Sequence, residues 1–201
     1  NSKGREKPGE KIMAIETGRI PAGLRPAMTA LAGAAAELAV LIRRGGDLGA
    51  AVGTNADGDG QKALDVIADG LFCTALRGAG VRWLASEEQE QALELDPQGS
   101  LAVAIDPLDG SSNIDTNVSI GTIFSIYPAE DTAEASFLRP TRQQIGAGYV
   151  IYGPRCAMMV SFGDGVQQYL LDPDTGAFRL VDGRLTMPDC SFEFAINASN
   201  Y

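Results

Sequence analysis

The order of elements along the chain predicts an α+β fold, a layered α/β sandwich in which N-terminal helices pack on a mostly antiparallel sheet. Three observations carry the prediction. Two segments with helical apolar spacing lie before residue 78. From Val81 onward, short β-type runs follow one another at meander spacing. The two patterns do not alternate, and helices followed by strands is the layering of α+β domains rather than of parallel βαβ units.

The elements follow in order. Residues 1–20, beginning "NSKGREKPGEK", are basic and polar without the apolar core of a signal peptide, and are expected to form a flexible arm. Residues 26–44 read as a helix, because Met28, Leu31, Ala35, Leu38 and Ile42 recur at helical spacing and Gly45-Gly46 ends the run. The glycine-rich stretch 47–60 reads as a mobile loop. A second helix is expected from Lys62 to Arg77, with Leu64, Ile67, Ala68, Leu71, Phe72, Ala75 and Leu76 on one stripe and Asp65 and Asp69 off it. Asp65 is expected on its first turn.

Strands are expected at 81–86, 100–105 and 117–127. In the last, Val118, Ile120, Thr122, Phe124 and Ile126 alternate with Ser119, Gly121 and Ser125. Residues 129–143 read as a polar insertion. "QIGAGYVIYG", "CAMMVSFG", "VQQYLLD" and "AFRLVD" continue the meander, with "DPDTG" (172–176) as a hairpin turn. "FEFAINASNY" reads as one more strand. Tyr201 follows it with no capping element, so a further C-terminal part is expected.

Composition removes several function classes. A net charge of −10 opposes broad nucleic-acid binding. No apolar run reaches the roughly 18–20 residues of a membrane span. The chain has no histidine, which excludes a Ser-His-Asp triad, a Cys-His pair and a His-ligated zinc site. Cys73, Cys156 and Cys190 are odd in number and lack metal-site spacing, so reduced thiols in a cytoplasmic protein are expected. None has an arginine six positions on, which excludes a cysteine phosphatase, and "LDPDTG" lacks the spacing of a haloacid-dehalogenase nucleophile.

The chemistry concentrates in "IDPLDGSSN" (105–113). "DPLD" reads as a β-turn with Asp106 first, Pro107 second and Asp109 fourth. Two carboxylates that close repel unless a cation sits between them. With the Leu108 carbonyl as a further oxygen, the set suits a hard ion, Mg²⁺ or Mn²⁺. Gly110, Ser111 and Ser112 then offer backbone N–H groups and hydroxyls to phosphate oxygens. Asp-Pro and Asp-Gly also occur in plain surface turns, so a second acidic pair matters. Glu87 and Glu88 follow the strand 81–86. In an extended segment they point to opposite sides, one towards a metal and the other towards Asp65. "NADGDGQKALDV" fails as an EF-hand loop, because its twelfth position is Val66. It reads instead as a loop delivering Asp59 to the site.

"NADGDGQKALDVIA", "LASEEQE", "DPLDGSSNIDTNVSIGTIFSIY", "GAGYVIYG" and "FAIN" occur in the order and spacing of class I fructose-1,6-bisphosphatases. The resemblance covers about residues 20–201, and its core is similar to the wider lithium-sensitive, magnesium-dependent sugar-phosphatase superfamily. It implies a two-domain fold of which residues 21–201 form the N-terminal metal- and phosphate-binding domain, usually assembled as a homotetramer. It implies hydrolysis of the 1-phosphate of fructose 1,6-bisphosphate in carbohydrate metabolism, with no nucleic-acid or membrane partner. By position, Glu87, Asp106, Asp109 and the Leu108 carbonyl would bind Mg²⁺ (or Mn²⁺), and Asp59 would complete the site from its loop. Glu88 with Asp65 would orient or deprotonate water. Gly110, Ser111 and Ser112 would meet the 1-phosphate and Asn197 the 6-phosphate. Ser100-Leu101 and Pro128 depart from the AMP-inhibited members, so the resemblance does not extend to the usual AMP regulation. The alternatives are a truncated module that binds metal or sugar phosphate without turnover, and another superfamily member acting on inositol monophosphate or sedoheptulose bisphosphate.

Overall fold

The fold is given by a computed structural model that describes residues 14–44, 59–114 and 116–190. Helix α1 (Arg25–Arg44) follows a 3₁₀ turn over Ala22–Leu24, close to the expected start. By length and composition Ala22–Arg44 could cross a bilayer. Its apolar stripe is spent inside the protein, with Ala27, Met28, Leu31, Ala35 and Leu38 buried in the core. Helix α2 (Asp59–Leu76) starts three residues before the expected Lys62, so Asp59 is its first residue rather than part of a loop. Asp65 consequently lies in the second turn, not the first.

The strands are β1 (Val81–Ser86), β2 (Leu93–Glu94), β3 (Leu101–Asp109), β4 (Ile120–Pro128), β5 (Gly146–Tyr152), β6 (Cys156–Ser161), β7 (Val166–Leu171) and β8 (Phe178–Leu185). They form one sheet in the order β2-β1-β3-β4-β5-β6-β7-β8. Only β1 and β3 run parallel; every other pair is antiparallel. The polar insertion holds a short helix, α3 (Ala133–Phe137), capped by the Thr132 hydroxyl. At 172–176 the expected hairpin turn is present, with the Asp172 N–H donating to the Ala177 carbonyl and Gly176 at φ 69°. The strand expected at the end of the chain lies outside the described residues.

Burial alternates along the sheet as period-2 strands require. Ile120, Thr122, Phe124 and Ile126 on β4, Val150 and Tyr152 on β5, and Cys156, Met158 and Val160 on β6 are buried. Apart from the hydroxyl-bearing Thr122, they join α1 and α2 in one core. Val118 was expected on that face but precedes the strand and is exposed. The alternate positions Ile123, Tyr149 and Ile151 are exposed on the other face. A concavity of about 790 Å³ runs over Ser125, Ala147, Tyr149 and Met159 and ends at Glu87 and Asp106.

Residues 14–20 lie within the stretch expected as a flexible arm, yet they are packed. Ile15 and Ile20 are fully buried. Phe178 exchanges backbone hydrogen bonds with Ala14 and Glu16, which adds the segment to the β8 edge. Isoleucines at 15 and 20 explain this, because each removes a large apolar side chain from water.

Candidate metal and phosphate site

The ends of β1 and β3 meet α2 in an acidic cluster. "DPLD" is not a free turn but the last four residues of β3. Asp106 pairs with Ile123 and Asp109 with Gly121, three steps on β3 against two on β4, so the stretch is a β-bulge. A bulge accommodates Pro107, which has no N–H for the ladder. The buried Thr122 hydroxyl donates to the Pro107 carbonyl at 2.8 Å and stands 2.7 Å from the Tyr152 hydroxyl. Since the single Thr122 proton goes to the carbonyl, Tyr152 is the donor to Thr122. Asp106 Oδ1 accepts the Leu108 N–H at 3.1 Å, which orients the carboxyl within the bulge.

Glu87 and Glu88 are also in a turn rather than an extended segment. The Gln89 N–H donates to the Ser86 carbonyl at 3.1 Å, making Glu87 and Glu88 the two central residues of a β-turn. The Glu87 N–H donates to the Ile105 carbonyl at 3.0 Å, which sets Glu87 beside Asp106. The carboxyls of the cluster raise one another. Burial and then the Glu87 carboxyl, within hydrogen-bonding reach, push Asp106 up to about 7. Burial, then Asp65, then Glu87 and Asp69 raise Glu88 above its ordinary value. Asp65 is raised by burial, partly offset by the Ser111 hydroxyl, and raised again by Glu87. Asp65 Oδ1 is buried with no hydrogen-bond partner.

Gly110 takes the left-handed conformation (φ 76°) that the chain needs to leave β3. Ser111–Asn113 then forms a 3₁₀ turn, closed by the Asn113 N–H on the Gly110 carbonyl at 2.8 Å. Ser111 lies near Asp65, while Ser112 is exposed. The side chain of Asp59, and Asn197 altogether, lie outside the described residues.

Asp65, Glu87, Glu88, Asp106, Asp109 and Ser111 thus lie near one another. Among the described residues, no salt bridge reaches any of those carboxylates. Among the same residues, no three acidic, cysteine or histidine side chains stand in a ligating arrangement. Glu87 and Asp106 are the neighbours most directly linked, through the Glu87 N–H on the Ile105 carbonyl. The donors are all oxygen, unpaired by cations, and one of them is buried without a partner. All-oxygen donors of this kind are the chemistry a hard divalent ion takes. Sequence reasoning missed Asp69, which is buried and accepts from the Ser86 hydroxyl at 2.6 Å and from the Gln89 amide. Its position four residues after Asp65, on one helix face, was the available signal. It also missed the Thr122–Tyr152 pair, which no local pattern announces.

A family model described as fructose-1-6-bisphosphatase, N-terminal domain, matches residues 15–183. The class 1 fructose-1,6-bisphosphatase of Paracoccus denitrificans is 81% identical over 187 residues, 93% of this chain and 57% of the relative. A class 1 fructose-1,6-bisphosphatase of Cereibacter sphaeroides is 58% identical over 95% of this chain and 58% of the relative. The chain therefore spans little more than half the length of these curated relatives. The crystal structure of apo Leishmania major fructose-1,6-bisphosphatase superposes with a TM-score of 0.72 at 29% identity, covering 86% of this chain and 56% of that one. The holo form gives 0.70 at 31% identity, over 84% and 53%.

Proposed function

Since the chain belongs to the fructose-1,6-bisphosphatase family, we propose that it is the metal- and phosphate-handling part of an enzyme that hydrolyses the 1-phosphate of fructose 1,6-bisphosphate, giving fructose 6-phosphate and phosphate. The observation that carries the reading is the juxtaposition of Glu87 and Asp106, set side by side by the Glu87 N–H on the Ile105 carbonyl, with no salt bridge to either carboxylate among the described residues. Such a pair calls for a proton or a metal ion.

On this reading Glu87, Asp106 and Asp109, with the Leu108 carbonyl, hold Mg²⁺ or Mn²⁺. A divalent ion there would lower the pKa of a bound water and neutralise charge on the leaving oxygen. The chain's own groups do the rest. Glu88 and Asp65, both raised above their ordinary values, would orient a water and take its proton. The bulge fixes Asp106 and Asp109 on a rigid strand end, and Thr122 locks the bulge from behind. Gly110, Ser111 and Ser112 follow directly and would receive the 1-phosphate. Asp59 would complete the site, and Asn197 would meet the 6-phosphate. Residues 21–201 would act as the N-terminal domain, in a homotetramer. The three free thiols agree with a cytoplasmic setting.

Phosphate release from fructose 1,6-bisphosphate, with and without Mg²⁺, tests the proposal in the protein at its natural length. Asp106→Ala and Glu87→Ala should abolish release while the protein stays folded. Mg²⁺-independent release would overturn the reading. A second reading is favoured because, among the described residues, the acidic side chains do not stand close enough in threes to enclose an ion. These 201 residues alone would bind metal or sugar phosphate without turnover, and wild-type-like kcat from them would refute it.

A further inference from the structure

We propose that Asp69 is a positioning residue, whose carboxylate clasps both ends of the turn presenting Glu87 and Glu88 and so sets where those two glutamates stand. The inference rests on the reading above, in which Glu87 holds a divalent cation and Glu88 orients water.

Strand β1 ends at Ser86, and the turn closes through the Gln89 N–H on the Ser86 carbonyl. Its two central residues are adjacent acids on an exposed loop, so mutual repulsion opposes one fixed geometry. The end residues supply what the central ones lack. The Ser86 hydroxyl donates to Asp69 Oδ1 at 2.6 Å, and the Gln89 amide donates to Asp69 Oδ2. Ser86 Oγ also accepts the Glu88 N–H, at 3.4 Å. Both ends of the turn are therefore tied to one side chain.

Asp69 is only 8% exposed. A carboxylate so buried is costly unless hydrogen-bonded, and the two donors meet that need. The carboxylate suits the two donors as they stand. A carboxylate presents two acceptors side by side, whereas an amide presents one acceptor and one donor. Asp69 also lies one helical turn beyond Asp65, so the clasp ties the glutamate turn to the helix that carries Asp65. The relative placement of Asp65, Glu87 and Glu88 thus depends on a group that touches neither water nor metal in the proposed reaction.

The test compares wild type, Asp69→Ala, Asp69→Asn and Gln89→Met in the protein at its natural length. Circular dichroism and thermal melting check folding. Mn²⁺ binding is read by electron paramagnetic resonance, and kcat and KM are read separately. Asp69→Ala should weaken Mn²⁺ by about tenfold or more, the range seen when the outer partners of metal ligands are removed. Its kcat should fall more than its KM for the bisphosphate changes, and excess Mg²⁺ should restore part of it. Asp69→Asn should recover most of the Mn²⁺ affinity, because Gln89 can turn its amide to match. Gln89→Met, at an exposed position, should lie between and decides the matter if Asp69→Ala does not fold. Wild-type Mn²⁺ affinity in a folded Asp69→Ala, or in Gln89→Met, overturns the proposal. A wild-type protein that binds no Mn²⁺ and releases no phosphate overturns both this and the reading beneath it, which separates the two failures.

Discussion

The carboxylates at the two ends of the sheet are treated in opposite ways. At the β7–β8 edge, Asp172 accepts the Arg179 guanidinium at 2.8 Å and the Asp174 N–H at 2.9 Å. Arg179 stands 3.6 Å from Glu16, and that arginine holds the Asp172 carboxyl below the ordinary carboxylate range. At the ends of β1 and β3, Asp106 has burial and Glu87 for company, and is pushed up to about 7. The edge acids are neutralised from within, where they tie the N-terminal segment to β8. Among the described residues, no cationic side chain forms a salt bridge to the cluster acids. Uncompensated acids are a cost to the fold, and groups so perturbed concentrate at functional sites.

The largest expected effect follows from that contrast. Asp106→Asn or Glu87→Gln should lower phosphate release by more than about a hundredfold, beyond the loss of an outer partner of a ligand. The melting temperature in a chelator should hold or rise, because a like-charge contact has been relieved. Paired turnover and melting measurements check both halves. Unimpaired turnover in either variant would remove the cluster's claim to chemistry.

Next in size is the support behind the bulge. Thr122→Val leaves the Pro107 carbonyl and the Tyr152 hydroxyl buried without each other's bridge. Orphaning a buried polar group costs about 1–3 kcal/mol, so denaturant unfolding should show a loss in that range. Tyr152→Phe should cost less, since Thr122 keeps its carbonyl. Equal losses would mean that the bulge is held by something else.

Much of this architecture is legible in the sequence, and the exceptions share a cause. The stripe Leu64, Leu71, Phe72 and the alternation Ile120, Thr122, Phe124 mark their elements because burial repeats with the backbone period. The acids of "SEE" and "DPLD" mark the site as acidic pairs at apolar strand ends, the second running straight into the hydroxyl-rich "GSSN". "DPLD" reads as a turn because Asp-Pro is turn chemistry in isolation. Only its neighbour β4, pairing across Asp106 and Asp109, makes it a bulge. Asp69 and the Thr122–Tyr152 pair are hidden for the same reason. Their partners lie 17 and 30 residues away in sequence, and no local pattern records such contacts.

A smaller effect sharpens the comparison through pH. The folded pKa of Asp106 lies near 7, above the ordinary 3.8. The folded protein then holds the proton more tightly than the unfolded chain. Its contribution favours folding below about pH 4 and is lost as pH rises through 7. Metal-free protein should therefore melt lower at pH 8 than at pH 5. Mg²⁺ should recover the difference at pH 8, and Asp106→Asn should flatten the slope. A slope unchanged by Asp106→Asn would place its origin elsewhere.

The smallest effect is at the other end. Arg179→Ala removes the partner of Asp172 at a half-exposed position, where solvent and salt already screen the pair. Melting should shift little, and phosphate release should match wild type. The sign is opposite to that of Asp106. Asp172 is held below its ordinary value, so its contribution exists above the unfolded pKa and disappears as pH falls through the folded one. The small difference between wild type and Arg179→Ala should accordingly show near neutrality and vanish in acid. If Arg179→Ala lowered turnover as far as Asp106→Asn, the two ends of the sheet would not be doing different things, and the contrast between bridged and unbridged acids would fail.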